Sequence, residues 1–135
     1  MLLSFKTKNY KSIRDEIILD LEATGLSDRK EELLPYANSY YLPVTAIYGK
    51  NGGGKSNVIR AFWLAVQFIL NAQRTQHEDA EVPVSPFELD DFSRNEPTEF
   101  EFEYVSADVK YWYGFAATRQ EIVKEYLYWA PKKQK

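Results

Sequence analysis

The chain has 135 residues, 44% of them hydrophobic and 27% charged, which suffices for one domain with its own core. A net charge of −3 provides no global basic field for nucleic acid or anionic lipid, although a local patch stays open. There is no cysteine for a disulfide or thiolate metal site, no signal peptide at Met1–Lys6, and no apolar run near the ~20 residues needed to span a bilayer, so the expected location is the cytoplasm.

Residues 2–10 mix Leu2, Leu3, Phe5 and Tyr10 with Ser4, Lys6 and Lys8 in partial alternation, which predicts a strand. Residues 16–21 predict a second strand after a short turn at Arg14 and Asp15. Residues 24–42 are polar, with Gly25, Asp28 and Pro35, and read as a loop with at most one helical turn. Residues 43–48 form a short apolar run ending in glycine, the pattern of a strand buried on both faces. After a glycine loop, Val58, Ala61, Phe62, Ala65, Phe68 and Ile69 recur at three- and four-residue spacing, predicting an amphipathic helix from Asn57 to roughly Arg74. Residues 75–97 are acidic and carry Pro83, Pro86 and Pro97, as an irregular connector does.

The last third alternates differently. Residues 98–105 switch strictly between acid and aromatic, 110–116 form a return strand, and 122–129 a third, making an antiparallel meander. The chain thus divides into strands, loop and first helix (1–74), connector (75–97) and meander (98–130), an α/β pattern.

The loop Gly49-Lys50-Asn51-Gly52-Gly53-Gly54-Lys55-Ser56 satisfies G-x-x-x-x-G-K-[ST] between a predicted strand and a predicted helix. Gly49, Gly52, Gly53 and Gly54 are expected to take positive φ, letting successive N–H groups converge on phosphate oxygens. The helix starting near Lys55 adds unpaired N–H groups and its positive dipole end. Lys55 is expected to reach the β- and γ-phosphates of ATP, and the Ser56 hydroxyl to ligate Mg²⁺. A plain strand-to-helix turn explains less: three successive glycines are entropically costly, and a Lys-Ser pair gains nothing there.

The stretch Tyr48 to Asn57 resembles the G-x-N-G-x-G-K-S-N loop of SMC-like, RecF-like and OLD-like ATPases, the ABC-type branch of P-loop proteins. Asn9-Tyr10-Lys11-Ser12-Ile13 is similar to that family's N-F-[KR]-S segment, and the meander with Phe92–Phe100 before it is similar to bacterial ATPases of antiphage defence operons. The resemblance covers nearly the whole chain and implies a P-loop NTPase fold: the N-terminal lobe of an ABC-type ATPase head with an antiparallel β-subdomain. It places Lys11 where a basic residue approaches the phosphates, with a solvated strand-end lysine as the equal alternative. It places Asn51 facing an opposing subunit, and Asn57 in the nucleotide-binding loop. No Walker B strand, Ser-Gly-Gly signature or switch histidine is present, so the 135 residues read as a lobe that alone hydrolyses ATP poorly or not at all. The Q-loop glutamine is not placed among Gln67, Gln73 and Gln76.

Other candidates are weaker. His77, the single histidine, stands beside Glu78 and Asp79, where a lone loop histidine is far more often neither ligand nor base. Asp90-Asp91 lacks a third metal ligand nearby and reads as a turn-forming pair. Glu99, Glu101 and Glu103 read as the wet face of a strand. Tyr111, Trp112, Tyr113, Tyr126, Tyr128 and Trp129 read as core and interface; base stacking is disfavoured by their acidic neighbours.

The expected function is ATP binding that drives head dimerisation, reset by hydrolysis, in a defence complex. The expected partners are a second copy or a complete head, as a dimer or higher oligomer, and an effector nuclease or toxin. Nucleic acid would be reached only through the full assembly, and no membrane is involved. The rivals are a RecF-like or OLD-like DNA-repair or nuclease-linked ATPase, and a non-hydrolysing nucleotide-bound module whose aromatic sheet binds a partner protein.

Overall fold

In the computed structural model, residues 1–25, 29–71 and 81–131 are described. The acid–aromatic alternation of 98–105 becomes β5 (Thr98–Ser106), the third of five strands in an antiparallel sheet. Its neighbours are β1 (Leu2–Lys8) and β6 (Val109–Ala117); β2 (Ile17–Asp20) and β7 (Ile122–Pro131) form the edges, giving the order β2-β1-β5-β6-β7. The meander is thus continuous with the N-terminal hairpin, Phe5 pairing with Phe102 and Thr7 with Phe100. A register shift between Leu2 and Ser4 marks a bulge in β1.

Alternation sorts the sheet into two faces. One carries Phe5, Phe100, Phe102 and Phe115 and is covered by α1 (Lys55–Asn71). Phe62 meets Phe5 edge-on at 5.2 Å and Phe102 at 5.7 Å, while Phe68 stacks on Phe115 at 5.0 Å. Ala61 and Ala65, fully buried, let the helix approach the sheet closely. The other face carries the acids, as expected, each answered by a cation: Lys8–Glu99 at 3.4 Å, Lys6–Glu101 at 2.8 Å, and Lys110–Glu103. Tyr126 lies over Gly114 on this face and donates its hydroxyl to Glu101 at 2.5 Å.

Two expectations fail. Residues 43–48 form no strand; Val44 is 79% and Tyr48 90% exposed. A doubly buried strand needs ladder partners beside it and layers on both faces, and among the described residues every strand pairs antiparallel within sheets that do not include this run. The supposed loop at 24–42 contains a second small sheet, β3 (Leu34–Tyr36) against β4 (Ser39–Tyr41), turned at Ala37 with φ of 53°. Strands of three residues are too short to show a period. The expected single helical turn is present, at Lys30–Glu32.

Helix α1 begins at Lys55, where the glycine-loop motif placed it and two residues before its apolar period starts, and is described to Asn71. It is apolar beyond its buried stripe: Ile59, Trp63 and Leu70 are exposed, more apolar surface than one contact face requires.

Candidate phosphate-binding site

The loop leaves residue 48 and closes on itself before the helix begins. The Gly53 N–H donates to the Lys50 carbonyl at 3.1 Å, and the Gly54 carbonyl accepts from the N–H groups of Asn57 (2.8 Å) and Val58 (3.3 Å). Gly52 and Gly54 have φ of 80° and 82°, values that L-residues rarely adopt. Gly49, at 158°, is close to extended, and Gly53 does not take the expected positive φ. Gly53 is needed for a different reason, since a Cβ there would stand 3.1 Å from the Lys50 carbonyl oxygen. A Cβ on Gly54 would stand 3.2 Å from the Ser12 hydroxyl. The concavity is one that side chains would fill, as a phosphate cradle must be.

Lys55, the first residue of α1, turns its ammonium back to donate to the carbonyls of Gly49 and Lys50, both at 2.6 Å. The charge is thereby held over the loop and beside the helix N-terminus, whose first N–H groups have no partner within the helix. Lys50 and Asn51 stand exposed at the tip. Ser56 lines a 280 Å³ cavity with Thr45, Ile47, Lys55 and Ile59. Asn57 turns the other way, donating its side-chain amide to the Ser12 hydroxyl at 2.8 Å.

That bond identifies the site's second wall, which sequence reasoning missed. A cavity of 520 Å³ lies between Gly52, Gly53, Gly54 and Lys55 on one side and Ser12, Ile13, Arg14 and Asp15 of the β1–β2 turn on the other, with Tyr48 at its rim. The structure places the Lys11 ammonium 5.8 Å from the centre of the Tyr10 ring; the turn residues that line this cavity begin at Ser12. The signal lay in the segment Asn9 to Ile13, where the resemblance points to the Lys11 cation rather than to the hydroxyl of Ser12 beside it. The turn itself is held by Asn9, buried and at φ of 55°. Its side-chain NH₂ donates to the carbonyls of Ser93 and Glu96, both at 2.8 Å, and its side-chain Oδ1 accepts from the Phe87 N–H at 2.9 Å.

Asp90 and Asp91 form turns, as expected. Asp90 accepts from the N–H (2.6 Å) and hydroxyl (3.0 Å) of Ser93 and pairs with Arg14 at 3.2 Å, while Asp91 pairs with Arg94 at 3.3 Å. The Ser93 N–H bond above all holds the Asp90 carboxyl below its usual range. Gln67 is on α1, its backbone carbonyl accepting from the Asn71 amide at 2.8 Å, whereas Gln73, Gln76 and His77 lie outside the described residues. Tyr104 and Tyr111 stack at 5.2 Å, while Tyr128 and Trp129 on the edge strand β7 are exposed. Among the described residues no helix is long and apolar enough to cross a membrane.

A glycine loop with this backbone, closed by a lysine at the start of a helix that packs on a sheet, defines a P-loop nucleotide-binding protein. Residues 44–135 match the model of a family described as "AAA domain, putative AbiEii toxin, Type IV TA system". The match begins just ahead of the loop and takes in well over half of the chain, which therefore belongs to this AAA-domain family of P-loop ATPases. Membership brings with it the use of nucleotide, usually with Mg²⁺. Neither a curated protein nor a solved structure matches the chain.

Proposed function

We propose that this chain binds ATP with Mg²⁺ and forms the nucleotide-binding portion of an ATPase head of the SMC-, RecF- or OLD-like kind. The observation that carries the reading is the Lys55 ammonium, held over a loop in which Gly53 and Gly54 have little space for a side chain. Lys55 would hold the β- and γ-phosphates, the N–H groups of Gly52, Gly53 and Gly54 their oxygens, and Ser56 the metal. Bound Mg²⁺ supplies neutralisation of the charge that develops on the phosphates. The residues of the chain do the rest: the loop fixes the phosphates, and the Ser12 wall bounds the cavity from the opposite side.

The larger role we propose is in bacterial antiphage defence, with ATP binding pairing two heads, hydrolysis separating them, and the pairing controlling an effector nuclease or toxin. The family description, a putative toxin of a type IV TA system, supports a defence context over DNA repair. The exposed aromatic edge of β7 favours a second reading, a nucleotide-bound module that docks a partner protein without hydrolysis. Calorimetry with ATP–Mg²⁺ tests the shared premise. Lys55→Ala is expected to weaken binding at least tenfold with the circular dichroism spectrum unchanged, and unchanged affinity would remove the site. Light scattering with and without ATP then separates pairing from the monomeric module.

A further inference from the structure

The 520 Å³ cavity carries a second cation that the P-loop pattern does not assign. Arg14 lines it across from Gly52, Gly53 and Gly54, in a lining whose charged members are Arg14, Asp15 and Lys55. Its backbone is fixed, because the Asn9 N–H donates to the Arg14 carbonyl at 3.2 Å and closes the turn. Its side chain is not fixed in the same way. More than half exposed, it reaches out of the turn to Asp90 on the connector, Nε to carboxylate, at 3.2 Å. Asp90 does not depend on this partner, being held by the N–H and hydroxyl of Ser93.

We infer that Arg14 is a phosphate-binding residue of the cavity whose availability is set by Asp90 of the connector. The inference rests on the nucleotide reading above and adds to it a regulated second cation. The guanidinium presents a planar fork of donors that matches phosphate oxygens. An exposed arginine–carboxylate pair is among the weakest of ionic contacts, whereas an arginine on a polyphosphate in a concave site is among the stronger ones. Nucleotide phosphates therefore compete with Asp90 for Arg14 and win, and Asp90 opposes binding to the extent that it holds the side chain away. Because Asp90 accepts from the Ser93 N–H at the start of the Ser93–Asn95 turn, whatever displaces that turn alters the availability of Arg14 for phosphate.

The test is calorimetric titration of the full chain with ATP–Mg²⁺ in Arg14→Gln, Asp90→Asn, the double variant and Lys55→Ala. Asparagine at 90 retains an oxygen for the Ser93 N–H, so the turn is expected to survive. Arg14→Gln should weaken binding about tenfold, and Asp90→Asn should tighten it about threefold, as befits a weak exposed pair. In the Arg14→Gln background, Asp90→Asn should change nothing, a coupling that a merely structural role for either residue would not produce. If Lys55→Ala weakens binding while Arg14→Gln does not, the second cation is refuted and the phosphate loop stands. If Asp90→Asn acts equally with and without Arg14, control by Asp90 is refuted. If Lys55→Ala itself leaves affinity unchanged, the nucleotide reading fails and this inference with it.

Discussion

The side-chain amide of Asn57 donates to the hydroxyl of Ser12 at 2.8 Å, joining the first turn of α1 to the turn between β1 and β2 across 45 residues of sequence. The bond sits where the phosphate loop becomes helix, so the loop's aim depends on a segment far upstream. Ser12→Ala leaves the Asn57 amide facing an apolar group beside the cavity. A loss of about 1 kcal/mol in stability is expected, together with a several-fold loss in ATP affinity. Urea unfolding and calorimetry on the same variant measure the two; an unaltered affinity would mean that the second wall does not position the loop.

Gly54→Ala meets two obstacles, a φ of 82° and the Ser12 hydroxyl 3.2 Å from the new methyl. The backbone cost alone is about 1–2 kcal/mol. Adding Ser12→Gly should restore the part that is steric and none of the part that is conformational. ATP affinity in the double variant equal to that of Ser12→Gly alone would show that Gly54 is required for space alone.

Tyr126 occupies the space above Gly114, where a Cβ would overlap its ring. Gly114→Ala should therefore destabilise the sheet by about 1–3 kcal/mol through the displaced ring and its bond to Glu101. Tyr126→Ala removes the obstacle, so the double variant should lose less than the sum of the single losses. Thermal unfolding of the four proteins decides it, and strict additivity would contradict the contact.

Glu101 links this face to pH. Burial alone would raise its carboxyl, but hydrogen bonds from Lys6 and Tyr126 and the charges of Lys6 and Lys124 outweigh burial and hold it below the ordinary 4.5. Its hydrogen bond in turn raises Lys6 above 10.5 against the effect of burial. A carboxyl depressed by folding contributes its full stability above 4.5 and loses it as pH falls through the lowered value. A lysine raised by folding contributes fully below 10.5 and loses it as pH rises through the raised value. Lys6→Met should therefore reduce the steepness of stability loss at both the acid and the alkaline limb. Equal slopes for variant and parent in urea unfolding across the pH range would remove the pair from the account.

Much of this architecture can be read from residue order because the signals are local. The alternation of 98–105 is one such signal, its phenylalanines turned toward α1 and its acids toward the opposite face. The glycine loop is another, since its residue types are demanded by backbone geometry within a few positions. The helix is a third: its apolar period marks the body from Asn57, and the loop motif marks its start at Lys55.

What escaped is everything that depends on who the neighbour is. The apolar run at 43–48 has the composition of a buried strand, yet burial is conferred by partners, and the described sheets offer it none. The pairing of β1 with β5, nearly a hundred residues apart, is invisible to any periodicity. It brings Asn9 against the connector, and that contact shapes the turn whose Ser12 and Arg14 face the phosphate loop. Residue types alone pointed to a P-loop, in keeping with the family match, because that chemistry is written in consecutive positions. The opposite wall of the cavity, and the pairing of Arg14 with Asp90 beside it, arose only when long-range strand pairing and side-chain hydrogen bonds fixed distances that no local pattern encodes.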